Sequence, residues 1–494
     1  MSAELADFTI CELLDAFRLR DASPTEAVAA CLGRIQRLDD RVNAVITLLA
    51  ERALDAAAES TRRWLDGTAR PLEGIPFGLK DIIATAGIRS TGGSPMYADY
   101  VPEESATLAR NLEAAGAVLL AKLQTFEFAS GSNATTSNPW DLDRWPAGSS
   151  SGSAAAVAAY EMPLSVGTDT GGSIAIPAAF CGVVGLKATY GRVSRAGVFP
   201  LSWTLDHAGP LTRSAIDAAH ALAAMAGYDP SDPTSGNVAV PDYVRSLRPL
   251  EGMRVGVPTE WFFDICAPEV TAAAHAAIEL LAANGATIKE FDLPTTRTVQ
   301  LHAIELTIVY AEVASLHEPN FSRIAGYGEE FQRLLTRAQF TSAVDYLKAL
   351  RARHLLQLDF QRVFEDNDVV IVPGGVCVSP RHDHLVAKIG DEEMPLIDVV
   401  SRPTAVMDIV GLPAITIPAG FDDEGMPLGI QVAARPYDEI SCLSVAHAYQ
   451  QLTDYHSTMP SLVADDRNGT TAGVPELPPY LAKPVVTATR DRIW

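Results

Sequence analysis

Small residues dominate the chain between positions 147 and 185, where glycine, serine and alanine make up most of the sequence. Such residues let neighbouring backbones approach closely, which bulky side chains prevent. The segment AGSSSGSAAAVAAY predicts a loop that turns into a tightly packed helix, and the following PLSVGTDTGGSIAIPAAFCGVVGLK predicts alternating strand and loop. The fold must therefore place this segment where elements of its backbone are closely packed.

Helices and strands alternate along most of the remaining sequence. Residues 106–115 predict a helix that ends at Gly116, and AVLLAKL then predicts a strand. The same order recurs from MRVGVP onward, residues 300–364 have a mostly helical pattern, and DVVIVPGG and LPAITIPAGF predict buried strands. This alternation predicts an α/β fold, with a single large α/β/α domain around a central mixed, mostly parallel sheet.

Three regions are expected along the chain. Residues 1–67 predict an N-terminal helical region packed on the core, in which S-P-T-E is typical of a capped helix start. Residues 68–458 predict the main domain, and residues 300–400 form a variable helical stretch within it. Residues 459–494 form a proline-rich C-terminal tail.

The chain is strongly acidic, with a formal net charge of -23 and an isoelectric point near 4.8. Because binding to nucleic-acid phosphates requires clustered lysine and arginine, we expect no nucleic-acid partner. The N-terminal sequence MSAELADFTICELLDAF has neither a basic leader nor a long apolar run. We therefore expect no signal peptide, no contact with a membrane, and a cytoplasmic location.

The sequence T-D-T-G-G-S at positions 168–173 can supply the parts of a nucleophilic site. Serine is a weak nucleophile that needs a nearby base and N–H donors directed at the developing oxyanion. Gly171 and Gly172 let successive backbone N–H groups converge, with Ser173 beside them. The pattern favours acyl transfer. From these residues alone, a structural turn or a phosphate cradle explains the pattern equally well.

Lys80 interrupts an apolar, strand-like run from Pro76 to Ile83. Most lysines lie in solvent, but a lysine in a dry site has a lowered pKa because burial disfavours its charged form. Lys80 can then be neutral near neutral pH and accept a proton. The G-S-S-S-G-S sequence around Ser149 is by itself typical of an ordinary loop. Only the combination of the three motifs indicates a site.

In this order along the chain, the motifs resemble those of the amidase signature family. The resemblance begins in the N-terminal helices and covers nearly the whole chain. It makes residues 68–458 the amidase signature catalytic domain and places substrate choice in residues 300–400. The segments that carry it are PLEGIPFGLKD, NPWDLDRWPAGSSSGSAAAVAA, GTDTGGSIAIPAAFCGVVGLKATYGRVSRAG, LDHAGPLTRS and GLPAITIPAGFDDEGMPLGIQVAARPYDE.

The resemblance implies a catalytic triad of Lys80, Ser149 and Ser173, with a cis peptide bond before Ser149. Lys80 would draw a proton from Ser149, and Ser149 would draw one from Ser173, which would then form an acyl-enzyme that water hydrolyses. No metal and no cofactor are required. The implied oxyanion hole consists of the backbone N–H groups of Thr170, Gly171, Gly172 and Ser173. The implied substrate-binding residues are Ala129, Ser130 and Ser149.

The expected reaction is the hydrolysis of a linear carboxylic amide, aryl or aliphatic, by an amidohydrolase. Carbamates, including urethanes, and esters pass through the same kind of tetrahedral intermediate, so urethanase or esterase activity stays open. We expect a small-molecule substrate of one of these classes. From the resemblance we also expect a homodimer.

Other functions fit parts of the sequence. A glutamine-hydrolysing subunit of a tRNA-dependent amidotransferase shares this fold and triad, and it would copurify with partner subunits. G-S-S-S-G also matches the nucleophile elbow of α/β-hydrolase esterases, with Ser150 as the nucleophile, but no strand directly precedes it. R-H-D-H at positions 381–384 is compatible with a metal site, although a solvated loop is simpler because the spacing indicates no third ligand.

The chain departs from the family pattern just after the nucleophile. Ala175 stands where the family has a basic residue, so we expect Asp169 to lack its usual ion-pair partner. Asp408 stands where asparagine is common. Four aromatic residues offer either an apolar substrate pocket or ordinary core packing, namely Phe126, Phe128, Phe199 and Trp203.

Overall fold

An eleven-stranded sheet forms the centre of the molecule. The structure is a computed structural model that describes residues 4–132 and 135–467. The strands are β1 (Val45–Leu48), β2 (Pro76–Lys80), β3 (Val118–Leu123), β4 (Leu164–Asp169), β5 (Val184–Lys187), β6 (His207–Thr212), β7 (Arg254–Pro258), β8 (Thr287–Phe291), β9 (Val369–Pro373), β10 (Val386–Ile389), β11 (Glu392–Pro395), β12 (Ala414–Phe421) and β13 (Pro427–Ala434). Strands β10 and β11 form a separate hairpin.

The strands of the large sheet follow the order β1-β3-β2-β4-β6-β5-β12-β13-β9-β7-β8. On one side β2 runs parallel to both β3 and β4, and on the other side β7 runs parallel to both β8 and β9. The strands from β4 to β9 through the middle of the sheet pair in antiparallel fashion. The predicted mixed sheet is confirmed, with parallel pairing confined to its two flanks.

Helices pack on the sheet and on one another. The α-helices are α1 (Ile10–Leu19), α2 (Pro24–Val42), α3 (Ala50–Leu65), α4 (Thr107–Ala114), α5 (Ser151–Ala158), α6 (Ala175–Cys181), α7 (Ala215–Met225), α8 (Pro268–Ala283), α9 (Leu301–His317), α10 (Glu329–Ala338), α11 (Ala343–Asp366), α12 (Leu396–Val399), α13 (Ala405–Val410), α14 (Glu439–Leu452) and α15 (Ser461–Arg467). Helices α5 and α6 pack together against strands, and α9, α10, α11 and α13 form a further helical layer. Among the helices of the described ranges, none is both long and apolar enough to cross a membrane.

The small-residue segment lies in the densely packed interior, as its composition predicts. Every residue of α5 and α6 is buried. A Cβ atom on Gly152 would collide with the backbone of Gln124 and Ala44, which shows how closely α5 approaches its neighbours. Larger side chains here would force the helix away from the strands.

The N-terminal region differs from the purely helical region that we expected. The predicted helix start is present, because the Ser23 side chain accepts a hydrogen bond from the Glu26 N–H at the beginning of α2. Between α2 and α3, however, the four residues of β1 add a strand to the edge of the large sheet by pairing with β3. Short runs rich in β-branched residues are typical of strands, and V-I-T-L is such a run. Most of the predicted C-terminal tail, from residue 468 onward, lies outside the described residues.

The close packing predicts the effect of adding a methyl group to Gly209 in β6. A Cβ atom there would collide with the carbonyl oxygen of Leu186 in β5, which belongs to the backbone and has little freedom to move. We expect Gly209→Ala to lower the free energy of unfolding by about 1–3 kcal/mol. The measurement is the midpoint of urea denaturation.

Gly33 in α2 provides the matched control, because a Cβ atom there approaches only the flexible end of the Arg37 side chain. Gly33→Ala should leave the midpoint unchanged or raise it, since alanine favours helix interiors over glycine by roughly 0.5–1 kcal/mol. Equal midpoints for the two variants would contradict the packing described for β5 and β6.

Candidate active site

Three segments meet at the carboxyl end of β2. Lys80 is the last residue of that strand, and β2 runs parallel to β4, whose carboxyl end leads into residues 170–173. Because the ends of parallel strands lie at the same edge of a sheet, the lysine and the glycine-rich turn are brought together. The turn that contains Ser149 precedes α5, which packs against both strands. The fold thus assembles the three predicted motifs in one place.

Lys80 is completely buried and hydrogen-bonded to three hydroxyl groups. Its Nζ lies 2.7 Å from Ser149 Oγ, 2.8 Å from Thr168 Oγ1 and 3.0 Å from Ser150 Oγ. Burial lowers the pKa of Lys80 from its ordinary value of 10.5 to about 7, although the negative charges of Asp169 and Asp206 partly oppose this shift. A substantial fraction of the lysine is therefore neutral near neutral pH.

A neutral lysine offers a lone pair to one of its three hydroxyl neighbours. The hydroxyl of Ser150 already donates to the carbonyl oxygen of Thr168 and accepts from the Thr168 N–H. Its hydrogen is therefore committed elsewhere. Ser149 and Thr168 are the two neighbours whose hydroxyl hydrogens can point at the Lys80 nitrogen.

Ser149 is held in a turn of restricted shape. The peptide bond between Gly148 and Ser149 is cis, as the resemblance implies. A Cβ atom on Gly148 would collide with the ring of Phe126, so only glycine fits at this position. The Phe126 N–H in turn donates to the Ser149 carbonyl oxygen at 3.4 Å. Ser149 itself is buried, with its hydroxyl directed at Lys80.

Ser173 differs from its surroundings because solvent reaches it. In the continuous stretch from residue 149 to residue 181, only Gly171 and Ser173 are not buried. The carbonyl oxygen of Ser173 accepts a hydrogen bond from the Ser150 N–H at 3.3 Å, which fixes the nucleophile turn beside the Ser149 turn. Among the described hydrogen bonds, none joins the two side chains of Ser149 and Ser173. The structure thus places an accessible serine next to the buried pair of Lys80 and Ser149.

The glycine-rich turn is wrapped around the carboxylate of Asp169. The backbone N–H groups of Gly172 and Ser173 donate to one oxygen, and those of Ile174 and Ala175 donate to the other at 2.8 and 3.2 Å. Two of the four N–H groups predicted for the oxyanion hole are therefore bonded to Asp169. The other two, at Thr170 and Gly171, make no such bond in the described part of the chain.

Asp169 lacks the basic partner of the family, as Ala175 predicts, and a buried group of polar side chains lies nearby. Lys187 Nζ lies 4.0 Å from Asp408 Oδ1, and His207 Nδ1 lies 3.2 Å from the same oxygen. Burial, with the charge of Asp408 as a further cause, raises the pKa of Asp169 to about 6. Burial likewise raises the pKa of Asp408 to about 8, against the lowering effect of Lys187. Four backbone N–H groups therefore take over the stabilisation that a side-chain ion pair would provide.

The predicted substrate-binding residues Ala129 and Ser130 lie in a strained segment. Phe128 and Ala129 adopt positive φ angles of 45° and 62°, which non-glycine residues rarely do. Ala129 is buried, whereas solvent reaches Ser130. The same segment contains Phe126, which packs against Gly148, so both residues lie close in sequence to the contact with the Ser149 turn.

The aromatic residues form core packing rather than a substrate pocket. Phe128 is surrounded by the rings of Phe199, His317, Tyr327 and Phe331 at centroid distances of 4.8–5.9 Å. Trp203 points away, with 52% of its surface exposed. The alternative nucleophile Ser150 is fully buried with its hydroxyl engaged, so the geometry gives the esterase interpretation no support.

Sequence patterns missed two residues of the site. Thr168 bonds to Lys80, and its position directly before Asp169 in the glycine-rich motif was an available signal. Glu305 of α9 lies against Gly171, and nothing in the helical pattern of its segment distinguished it from a surface glutamate.

The comparisons with known proteins agree with this geometry. A sequence profile of the amidase family matches residues 26–443. The chain belongs to the amidase signature family. As a member, it is an amidohydrolase that acts on carbon–nitrogen bonds. It is 42% identical over 492 residues to a glutamyl-tRNA(Gln) amidotransferase subunit of Moorella thermoacetica, and the match covers 93% of this chain and 99% of that protein.

Solved structures of this family are also similar to the chain. One is an inhibitor-bound complex from work on a vestigial protein complex and the origins of an s-triazine catabolic enzyme, with a TM-score of 0.86, 30% identity, and coverage of 90% of this chain and 98% of that chain. Another is the native peptide amidase of Stenotrophomonas maltophilia, with a TM-score of 0.78, 30% identity, and coverage of 90% and 96%.

The comparisons correct our expectation about partners. A homodimer that acts only on a small molecule, without nucleic acid, is contradicted because the curated relatives bear the name of one subunit of an enzyme whose name includes a transfer RNA. The expectation rested on the total charge of -23. Total charge describes the average surface of one chain and does not report on contacts that other subunits of an assembly make.

The buried position of Lys80 predicts how stability depends on pH. In the unfolded chain the lysine binds a proton up to its ordinary pKa of 10.5, whereas in the folded chain it loses that proton near pH 7. The wild type therefore becomes less stable as the pH falls through this interval, by on the order of 1.4 kcal/mol for each unit of pKa displacement. Lys80→Met, which cannot be charged, should gain stability relative to the wild type over the same interval.

The measurement is urea denaturation of wild type and Lys80→Met at several pH values. The difference in unfolding free energy should grow as the pH falls toward 7 and stay constant below it. The exposed Lys348 in α11 provides the control, because Lys348→Met removes a lysine without changing burial. A difference for Lys80→Met that does not vary with pH would show that the lysine keeps its ordinary pKa.

Proposed function

We propose that the chain hydrolyses amides through an acyl-enzyme formed on Ser173, with Ser149 as the proton relay and Lys80 as the base. The observation that carries the proposal is the fully buried Lys80, bonded to Ser149 at 2.7 Å beside a serine that solvent reaches. A lysine with a pKa near 7 is suited to accept a proton at neutral pH.

The proposed steps conserve protons. Neutral Lys80 accepts the hydroxyl proton of Ser149, while Ser149 accepts that of Ser173, whose oxygen attacks the amide carbon. Collapse of the tetrahedral intermediate breaks the carbon–nitrogen bond, and the leaving amine takes a proton back along the same relay. Water then attacks the ester bond to Ser173, which releases the carboxylic acid and restores the hydroxyl.

The oxyanion hole that we propose consists of the backbone N–H groups of residues 170–173. Those of Thr170 and Gly171 are the ones without a bond to Asp169, and they would act as the principal donors. The N–H groups of Gly172 and Ser173 would be shared with the Asp169 carboxylate. Loss of a single such donor typically reduces the rate about a hundredfold or more. Ala129, Ser130 and Ser149 stay our proposal for the residues that contact substrate.

As the substrate we propose the side-chain amide of glutamine, hydrolysed by this chain within a tRNA-dependent amidotransferase of several subunits. The support is the 42% identity to the Moorella thermoacetica protein, over almost the full length of both chains. We also propose that residues 68–458 form the catalytic domain and that residues 300–400 select the substrate, because Glu305 in that stretch touches the nucleophile turn.

A second candidate is the hydrolysis of other amides without partner subunits. Ala175 favours it, because the family pattern has a basic residue at this position, and a change beside the nucleophile is expected to alter substrate preference. The 30% identity to a peptide amidase over 90% of this chain is compatible with this candidate.

The test is ammonia release from L-glutamine and from propionamide, using the chain alone and the chain copurified with whatever subunits bind to it. We expect hydrolysis of glutamine, which increases when partner subunits are present. Ser173→Ala should abolish the release in either preparation and serves as the blank. Hydrolysis of propionamide without hydrolysis of glutamine, and without copurifying subunits, would overturn the glutamine proposal in favour of the second candidate.

A further inference from the structure

The carboxyl group of Glu305 lies against the turn that holds the nucleophile. Glu305 is part of α9, in the stretch that differs most from ordinary catalytic motifs. A Cβ atom on Gly171 would collide with Glu305 Oε1, so the glycine at this position allows the carboxyl group to approach the turn directly. On the next residue, the corresponding position is covered by the hydroxyl of Thr404. The outer face of the turn is therefore lined by polar groups.

Glu305 borders the part of the turn that solvent reaches. Its Oε2 accepts a hydrogen bond from Ser401 Oγ at 3.3 Å and lies 3.3 Å from His302 Nδ1. Both of these partners are partly exposed, as are Gly171 and Ser173. These two contacts both involve Oε2, which leaves Oε1 directed at the turn. The Glu305 side chain keeps 11% of its surface exposed.

The charges around Glu305 favour an additional cation. His302 is its one basic neighbour within ion-pair distance in the described residues, and that imidazole is itself one-third exposed. Asp169 lies close enough for its negative charge, together with burial, to raise the pKa of Glu305. Ala175 contributes no positive charge of the kind that the family pattern has there. A positively charged group on a bound substrate would offset this local excess of negative charge.

We propose that Glu305 is a specificity-determining residue, which binds a protonated amino group carried by the acyl part of the substrate. The inference rests on the amide hydrolysis proposed above. In glutamine the group is the α-ammonium, and in other amides it is any ammonium placed a few bonds from the reacting carbonyl. The neighbouring His302 and Ser401 hold the carboxylate in position through Oε2.

Pairs of amides that differ in a single amino group test the proposal. L-Glutamine is compared with glutaramate, which lacks the α-amino group, and β-alaninamide is compared with propionamide. For the wild type we expect kcat/KM to be roughly ten- to hundredfold higher for the amino-bearing member of each pair, the effect of one charge-assisted hydrogen bond. Glu305→Gln should remove most of this preference through KM and leave the amides without an amino group unchanged.

Two further variants separate recognition from packing. Glu305→Asp retains the carboxylate and should restore part of the preference. Glu318→Gln removes an exposed carboxylate at the end of the same helix and should leave both members of each pair unchanged. A merely structural role for Glu305 predicts instead that Glu305→Gln lowers kcat/KM equally for both members, and this result would overturn the proposal.

The two pairs also distinguish failure of this inference from failure of the proposed function. Preference for β-alaninamide without hydrolysis of glutamine would overturn the glutamine proposal and leave the role of Glu305 intact. If none of the four amides is hydrolysed, protection of Ser173 against a reactive serine probe replaces turnover. Equal protection by β-alaninamide and propionamide in the wild type would then overturn the role of Glu305.

Discussion

The buried contact between Lys80 and three hydroxyl groups is the interaction on which the rest of the site depends. Bringing a lysine out of water is costly, and the cost is reduced when the group loses its charge. The structure supplies hydroxyls instead of carboxylates around Nζ, so hydrogen bonds are satisfied without an ion pair that would keep the lysine protonated. The small residues of α5 and of the nucleophile turn let the backbone close around this group and exclude solvent.

The second feature is the way in which the nucleophile turn is held. In this chain the Asp169 carboxylate is bonded to four consecutive N–H groups, where the family pattern leads one to expect an ion pair with a basic side chain. The turn is thus stabilised by its own backbone, and the place of the basic residue is taken by Ala175. This arrangement leaves the rim of the site with a negative group, Glu305, and removes a positive one. The change in electrostatics is what links the departure from the family pattern to substrate choice.

The sequence predicted the parts of the molecule that depend on local composition. Alternating apolar runs, the Ser23 cap and the dense small residues predicted elements that the structure contains, and Lys80 was identified because it interrupts an apolar strand. Contacts between distant segments were not predictable from such patterns. The edge strand β1 depends on pairing with β3, and the Asp169 bonds depend on the exact path of the turn. Glu305 meets Gly171 only because α9 packs over the site, more than a hundred residues away along the chain.

The central claim is that Ser173 becomes nucleophilic through Ser149 and a neutral Lys80. The most direct measurement is the rate at which a reactive serine probe modifies the protein, followed by intact mass from about pH 5 to about pH 9, with Ser173→Ala as the blank. The account predicts a single adduct that is absent from Ser173→Ala, and a rate that rises up to about pH 7 and is constant above it. An adduct that persists in Ser173→Ala, or a rate that is the same across this range, would contradict it.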